Sequence, residues 1–174
     1  MHKTLIKWLV VPIVAMVCTI CLAAQQIAQS PEKFMGKWDR NAGIISLFIK
    51  ESEGVKQARL LVAEEHVEDA SSKLSFAMLP ADLDDLEDLI EDTLIEMGKP
   101  EIFPIPTEAG TLVGQLSYPS GIIKISIVYP VNTGKYVSML IRRSDRQAQF
   151  IFWMEKQDLV SLKRLIDRTL NELG

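Results

Sequence analysis

Two kinds of hydrophobic pattern divide the chain. Short segments alternate apolar and polar residues, as Ile45, Leu47 and Ile49 do with Ser46 and Lys50, and a period of two predicts β-strands. Each series of such segments is followed by one in which leucines recur every three or four residues, which predicts an amphipathic helix. The pattern therefore predicts four strands and a helix, and then four strands and a helix again.

The predicted helices cover residues 82–98 and 158–174, each with an N-cap aspartate, Asp82 or Asp158, at its start. Gly98 and then Pro100 end the first helix. The predicted strands are residues 37–40, 44–50, 57–63, 74–79, 112–118, 122–129, 136–142 and 149–155.

The two halves of this pattern are copies of one another. Both helical segments follow D-L-x-x-L-x-x-L-I-[ED]-x-T-L-x-E-[ML]-G at an offset of 76 residues, and Gly36, Gly43 and Ile44 match Gly114, Gly121 and Ile122 at an offset of 78. A register kept over strands and helix indicates an internal duplication. We therefore expect an α+β protein made of two ββββα units, with antiparallel sheets, one C-terminal helix per unit and pseudo-twofold packing.

The N-terminus has the features of an export signal. Lys3 and Lys7 precede an uncharged stretch, residues 8–24, that ends in small residues. We expect a signal peptide at 1–24 and a periplasmic or secreted protein. The alternative is an uncleaved anchor in the inner membrane, contacting the bilayer only through residues 5–24 and facing the periplasm. Both cysteines, Cys18 and Cys21, lie in this leader, so the mature chain has none.

The predicted organisation continues with an N-terminal linker at 25–35, unit 1 at 36–98, a proline-containing linker at 99–113 and unit 2 at 114–174. The chain of 174 residues has a net charge of −4, but the units differ. Unit 1 holds six basic and fifteen acidic residues, a net charge of −9, whereas unit 2 holds nine and five, a net charge of +4. The halves have diverged in polarity.

The divergence includes equivalent positions of the two helices. The acidic residues are Glu87, Asp88 and Asp92, and the basic residues at the same positions are Lys163, Arg164 and Arg168. Solvated helix faces with drifted charges would explain this, and so would electrostatic complementarity, either within one chain or between two molecules of a homo-oligomer.

A second difference is apolar. If Phe150, Phe152 and Met154 face the helix, Ile151 and Trp153 lie on the opposite face of the sheet. This face is predicted to be either a core between the units or a partner-binding patch centred on Trp153. The predicted patch consists of Trp153, Ile151, Met139, Ile141, Arg142, Arg143 and Arg146.

The chain offers few groups for catalysis. His66 is the sole histidine after the leader, and no calcium-loop or phosphate-loop pattern is present. We therefore predict no catalytic residues, no cofactor, no metal site and no enzymatic activity. A hydrolase with a carboxylate pair is the second alternative, since sequence does not select two carboxylates in a pocket.

The order of elements resembles the Pur-like and Whirly-like repeats that bind single-stranded nucleic acid. This resemblance, at the level of topology, implies a nucleic-acid-binding protein as the first alternative. The export signal and the acidic net charge count against it. The favoured function is an exported non-catalytic protein-binding protein: an inhibitor or immunity protein, or an accessory subunit of an envelope or secretion assembly.

Overall fold

Two four-stranded antiparallel sheets, each followed by one helix, make up the described part of the chain. The structure, a computed structural model, describes residues 32–40, 43–52, 54–64, 73–100, 110–129, 134–145 and 148–174. All of them belong to one compact body, Glu32–Gly174. The predicted α+β fold of two ββββα units is confirmed. The predicted leader and His66 lie outside the described residues.

Both sheets keep their strands in chain order, so neighbouring strands are joined by hairpins or short connections. Sheet 1 comprises β1 (Lys33–Arg40), β2 (Gly43–Ser52), β3 (Val55–Ala63) and β4 (Lys73–Met78), and is followed by α1 (Pro80–Gly98). Sheet 2 comprises β5 (Thr111–Tyr118), β6 (Gly121–Val128), β7 (Tyr136–Arg143) and β8 (Gln149–Met154), and is followed by α2 (Lys156–Leu173).

Both helices begin two residues earlier than predicted, so Asp82 and Asp158 are not N-caps. Each is the third residue of its helix, and its carboxylate accepts the backbone N–H of the residue before the helix, Leu79 at 2.8 Å and Glu155 at 2.9 Å. The prediction was wrong because an aspartate can satisfy a free N–H group from the third position as well as from the cap. Pro80 suits the first position of α1, where no N–H is needed.

Each helix packs mainly against the sheet of the other unit, an arrangement that we call the helix exchange. α1 packs against β5 and β6 of sheet 2, with fewer contacts to β3 and β4 of its own sheet. α2 packs against β1, β2 and β3 of sheet 1, with fewer contacts to β8, and the helices pack against each other. Two glycines permit the closest contacts: a Cβ on Gly36 would lie 2.8 Å from Leu165 of α2, and one on Gly114 would lie 2.6 Å from Leu89 of α1. Each glycine follows a β-bulge on the first strand of its unit.

Other contacts repeat the exchange at equivalent positions. Arg40 forms an ion pair with Asp158 of α2, and at the matching positions the Tyr118 hydroxyl donates a hydrogen bond of 3.2 Å to the Asp82 carbonyl of α1. Burial, assisted by the nearby acidic side chains of α1, raises the pKa of Tyr118, so this hydroxyl remains protonated. Contacts that are reciprocal in this way are those that a twofold axis produces.

The exchange gives both units one hydrophobic core. Buried side chains of both sheets and both helices form a single cluster. It includes an edge-to-face contact between Trp38 of β1 and Phe152 of β8, with ring centroids 5.5 Å apart, and a similar one between Phe76 of β4 and Tyr118 of β5 at 5.7 Å. Neither unit closes its core without the other.

Neither α1 nor α2, the helices of the described part of the chain, is long and apolar enough to cross a membrane.

Substitution of Gly114 by alanine tests the helix exchange. We expect Gly114→Ala to lower the free energy of unfolding by about 1–3 kcal/mol, because the new methyl group overlaps buried Leu89 of the other unit. Urea unfolding followed by circular dichroism measures this. Gly98→Ala is the control, since its Cβ would meet nothing within 4 Å and stability should stay the same or rise. Equal stability of both variants would contradict the described packing.

Candidate functional site

The last strand of unit 2 separates an inner face from an outer one. Phe150, Phe152 and Met154 are buried in the common core, whereas 39% of Ile151 and 56% of Trp153 remain exposed. The alternation therefore divides β8 as the sequence predicted. The face that carries Ile151 and Trp153 was predicted to be either a core between the units or a partner-binding patch. Because both side chains face solvent, they do not form a core between the units.

Met139 and Ile141, which were predicted to lie in the same patch, are on the inner face instead. They are 1% and 0% exposed and pair with Phe152 and Phe150 of β8. The prediction was wrong because it aligned β7 with β3 at an offset of 78 residues, the offset at which the preceding strands of the two repeats match. The connection before β7 is one residue longer than the one before β3, so Met139 is equivalent to Leu60, which pairs with Phe76. A shift of one residue moves a side chain to the other face.

The outer face of sheet 2 is a shallow depression around Trp153. Ser138 of β7 lies opposite Trp153, and Leu140 lies opposite Ile151, so the apolar side chains are adjacent across the strands. The depression has a volume of about 170 Å³. It is lined by Lys124, Ser126, Val128, Ser138, Leu140, Gln149, Ile151 and Trp153.

The charge of this sheet has one sign. The four strands of sheet 2 contain Lys124, Arg142 and Arg143 and no acidic residue. Arg142 is half-buried on the outer face, opposite Gln149. Arg143 donates to Asp145 in the following turn at 2.8 Å, and this hydrogen bond raises the pKa of its guanidinium. Arg146 lies outside the described residues. The outer face is thus apolar at Trp153 and cationic at Lys124 and Arg142.

The sequence analysis missed two residues of the outer face, Lys124 and Leu140, which the correct register of β7 would have identified. Lys124, Leu140 and Ile151 form one row across β6, β7 and β8. The missing information was the position of the one-residue insertion before β7, which decides whether Leu140 or Met139 faces solvent. The signal available in the sequence was Lys124, since a lysine within an apolar strand marks its solvent face.

The outer face of sheet 1 is organised differently. Its strand β4 carries Ser75 and Ala77 at the positions of Ile151 and Trp153. Its aromatic residues are Phe34 and Phe48, with ring centroids 5.3 Å apart. The Arg59 guanidinium lies over the Phe48 ring at 4.6 Å and forms an ion pair with Glu32. The central arginine of this face is therefore paired within the chain, whereas Lys124 and Arg142 form none of the ion pairs between described residues.

The predicted charge complementarity of the helices is present at one position within the chain. Lys163 of α2 forms an ion pair with Glu87 of α1 and lies 3.5 Å from Glu91. Glu87 and Lys163 are equivalent residues of the two repeats, so each meets its own counterpart close to the pseudo-twofold axis. The other members, Asp88, Asp92, Arg164 and Arg168, are exposed and take part in no ion pair between described residues.

The carboxylates do not assemble into a metal site in the part of the chain that the structure describes. Asp92 and Glu96 of α1 line a groove of about 430 Å³ beside β5, together with exposed Ile95 and Leu112. Glu96 is paired with Lys99. The two carboxylates are four residues apart on one helix and share its solvent side, so this groove is where the carboxylate-pair alternative would apply.

Comparison with known proteins gave no match to any protein-family model or to any curated protein. The function of the chain is therefore argued from its own residues.

Reversing the charge of Lys163 tests the contact between equivalent residues. Lys163→Glu would place a new carboxylate beside Glu87, Glu91 and Asp167, and we expect the free energy of unfolding to fall by about 2 kcal/mol or more. Exchanging both charges, Glu87→Lys with Lys163→Glu, should restore most of that loss. Arg164→Glu is the exposed control, expected to change stability by about 0.5 kcal/mol or less. Equal loss in the single and the exchanged variants would refute the pairing.

Proposed function

We propose that this chain is an exported, non-catalytic protein-binding protein, and that the outer face of sheet 2 binds an acidic segment of its partner that also carries apolar side chains. The observation that carries the proposal is Trp153, more than half exposed beside Ile151 on a sheet whose strands contain three basic residues and no acidic one.

The apolar part of the face supports binding because it has no role in the core. Trp153 and Ile151 point away from the single hydrophobic cluster, whose inner positions on β8 are already filled by Phe150, Phe152 and Met154. Tryptophan and arginine, which this face combines at its two ends, are among the residues that dominate protein interfaces. Exposed apolar side chains that adjoin one another, as Ile151 and Leu140 do across the strands, are a feature of interaction sites.

The charge of the face favours an acidic partner. Lys124 and Arg142 flank the apolar centre and are not neutralised by described acidic groups, so a carboxylate-bearing segment would gain attraction and orientation. Single-stranded nucleic acid would also use cations and an aromatic ring. It would, however, have to approach a chain of net charge −4 whose α1 is strongly acidic. The protein partner is therefore favoured.

The biological setting that fits these features is the bacterial envelope or the extracellular space. The predicted leader supports export, and a small two-repeat body with one binding face suits an inhibitor, an immunity protein or an accessory subunit of an envelope or secretion assembly.

A photo-crosslinking amino acid placed at Ile151 of the chain in its host tests the proposal. We expect a crosslinked protein whose contacting segment is rich in Asp and Glu. Binding of that protein, once purified, should weaken at least about tenfold with Trp153→Ala, and both Lys124→Glu and Arg142→Glu should weaken it most at low salt.

Two controls accompany this experiment. The crosslinker at Ser75, the position of β4 equivalent to Ile151, should not capture the same protein. Phe34→Ala, which removes a side chain that is also 56% exposed but on sheet 1, should leave the affinity unchanged. Unchanged affinity of Trp153→Ala would overturn the proposal, and a nuclease-sensitive crosslinked species would establish nucleic acid in place of a protein.

A further inference from the structure

Strand β8 is an edge of sheet 2, and its backbone direction can be read from the hairpin that precedes it. Among the described strands, β8 pairs only with β7. The Arg143 N–H donates to the Ala148 carbonyl at 3.0 Å, which makes these two residues a hydrogen-bonded pair. Hydrogen-bonded and non-hydrogen-bonded pairs alternate along an antiparallel ladder. Ile141 with Phe150 and Met139 with Phe152 are therefore the next hydrogen-bonded pairs.

The remaining residues of β8 direct their backbone groups away from the sheet. Gln149, Ile151 and Trp153 belong to the non-hydrogen-bonded pairs, so their N–H and C=O groups point to the open side of β8. No hydrogen bond between described residues satisfies these groups. The two residues that expose apolar side chains on the outer face thus also offer donors and acceptors along the edge.

The four edge strands differ in how they are protected against pairing. β1 and β5 each contain a β-bulge and are packed against a helix of the other unit. β4 begins with a lysine and has only Ser75 and Ala77 on its outer side. β8 has no charged residue, no proline and no shift in register within Gln149–Met154. It therefore lacks the charge, the proline and the bulge by which natural sheets prevent strand addition.

We infer that the partner binds by strand addition, with an extended segment that pairs with β8 and continues sheet 2. The inference rests on the proposed function, and it specifies the mode of binding. Main-chain hydrogen bonds to Gln149, Ile151 and Trp153 give affinity, and side chains of the added strand on the outer face give specificity.

The outer face orders the side chains of the added strand. Trp153 and Ile151 form its apolar end, whereas Gln149 lies beside Arg142 at its cationic end. A strand that runs antiparallel to β8 therefore carries apolar residues first and acidic residues afterwards, at every second position.

The same charges disfavour a second copy of this chain as the added strand. Antiparallel pairing of two β8 strands would extend the sheet across two outer faces that carry Lys124 and Arg142 and no carboxylate on their strands. Two faces of the same sign would then be joined in one sheet, and no carboxylate on their strands would compensate them. A segment of another protein with acidic residues is the occupant that the face fits.

Two N-methylated forms of the peptide TVTVTETE test the inference with the full chain. In the first form, the threonine nitrogens are methylated, so only the edge formed by the N–H groups of valine and glutamate can pair with β8. In the second form, the valine and glutamate nitrogens are methylated, which blocks that edge. We expect the first form to bind at least about tenfold more tightly, measured by fluorescence anisotropy. Amide resonances of Gln149, Ile151 and Trp153 should shift, and those of residues 73, 75 and 77 in β4 should not.

Proline at Ile151 provides the matched test on the protein. Ile151→Pro removes an N–H that the ladder to β7 does not use, so the strand is expected to persist. Its affinity for the peptide should fall at least about tenfold below that of Ile151→Ala, which loses the side chain but keeps the N–H. Ser75→Pro on β4 should bind like the unaltered chain. Should Ile151→Pro fail to fold, the two peptide forms still decide the question on the unaltered chain.

The outcomes separate the mode of binding from the proposed function. Equal binding of the two peptide forms, with loss in Trp153→Ala, would overturn strand addition and leave the binding face intact. Binding that Trp153→Ala does not affect would overturn both. Absence of binding by either form at millimolar concentration would overturn the inference. So would a concentration-dependent dimer that shifts the same three amides without peptide, because it would establish a second copy as the occupant.

Discussion

The reciprocal burial of the two helices is the constraint on which the rest of the structure depends. Each sheet has an inner face too apolar to be exposed, and the helix that covers much of it comes from the other repeat. Close approach of helix to strand needs a residue without a side chain, and Gly36 and Gly114 provide it at the bulges of β1 and β5. Because both helices lie on the inner side, neither helix covers the outer face of a sheet. The arrangement that closes the core thus leaves Ile151 and Trp153 exposed on the outer face of sheet 2.

Near the pseudo-twofold axis the duplication leaves a specific electrostatic signature. In an assembly of identical units, a residue close to the axis faces a copy of itself, and a charged residue there would repel its counterpart. Glu87 and Lys163 are such a pair, and their opposite charges convert a repulsive contact into an attractive one. Arg40 and Tyr118, which are equivalent residues further from the axis, have diverged in the same way. The first forms an ion pair with α2, and the second forms a neutral hydrogen bond with α1. Fusion of the repeats into one chain permits these differences.

The sequence patterns predicted the elements but not the partners of the helices. Alternation and leucine spacing are set by burial, and burial is the same whichever sheet a helix covers, so the periodicity of α1 contains no signal for β5 over β4. The duplication was readable because both repeats keep the same core positions. The residues of the predicted patch lie on two different faces of the sheet. That Ile151 and Trp153 are on the outer face follows from strand alternation within β8, whereas the placement of Met139 and Ile141 required the position of an insertion that a comparison of two diverged copies does not fix. The capping role of Asp82 was similarly misplaced, because this residue caps from the third position of α1 and not from the N-cap itself, which is Leu79.

Comparison of β4 and β8 isolates what the fold requires from what it does not. Their inner residues are alike, Leu74, Phe76 and Met78 against Phe150, Phe152 and Met154, because both strands line the same core. Their outer residues share no such requirement, and there Ser75 and Ala77 correspond to Ile151 and Trp153. Serine and alanine show that the fold is compatible with a small and weakly apolar outer surface at this strand. An exposed tryptophan and isoleucine on an unprotected edge increase the risk of aggregation without adding to the core. Their presence in only one of two equivalent strands is therefore not a requirement of the fold, and this is why we propose this strand as the one that binds a partner.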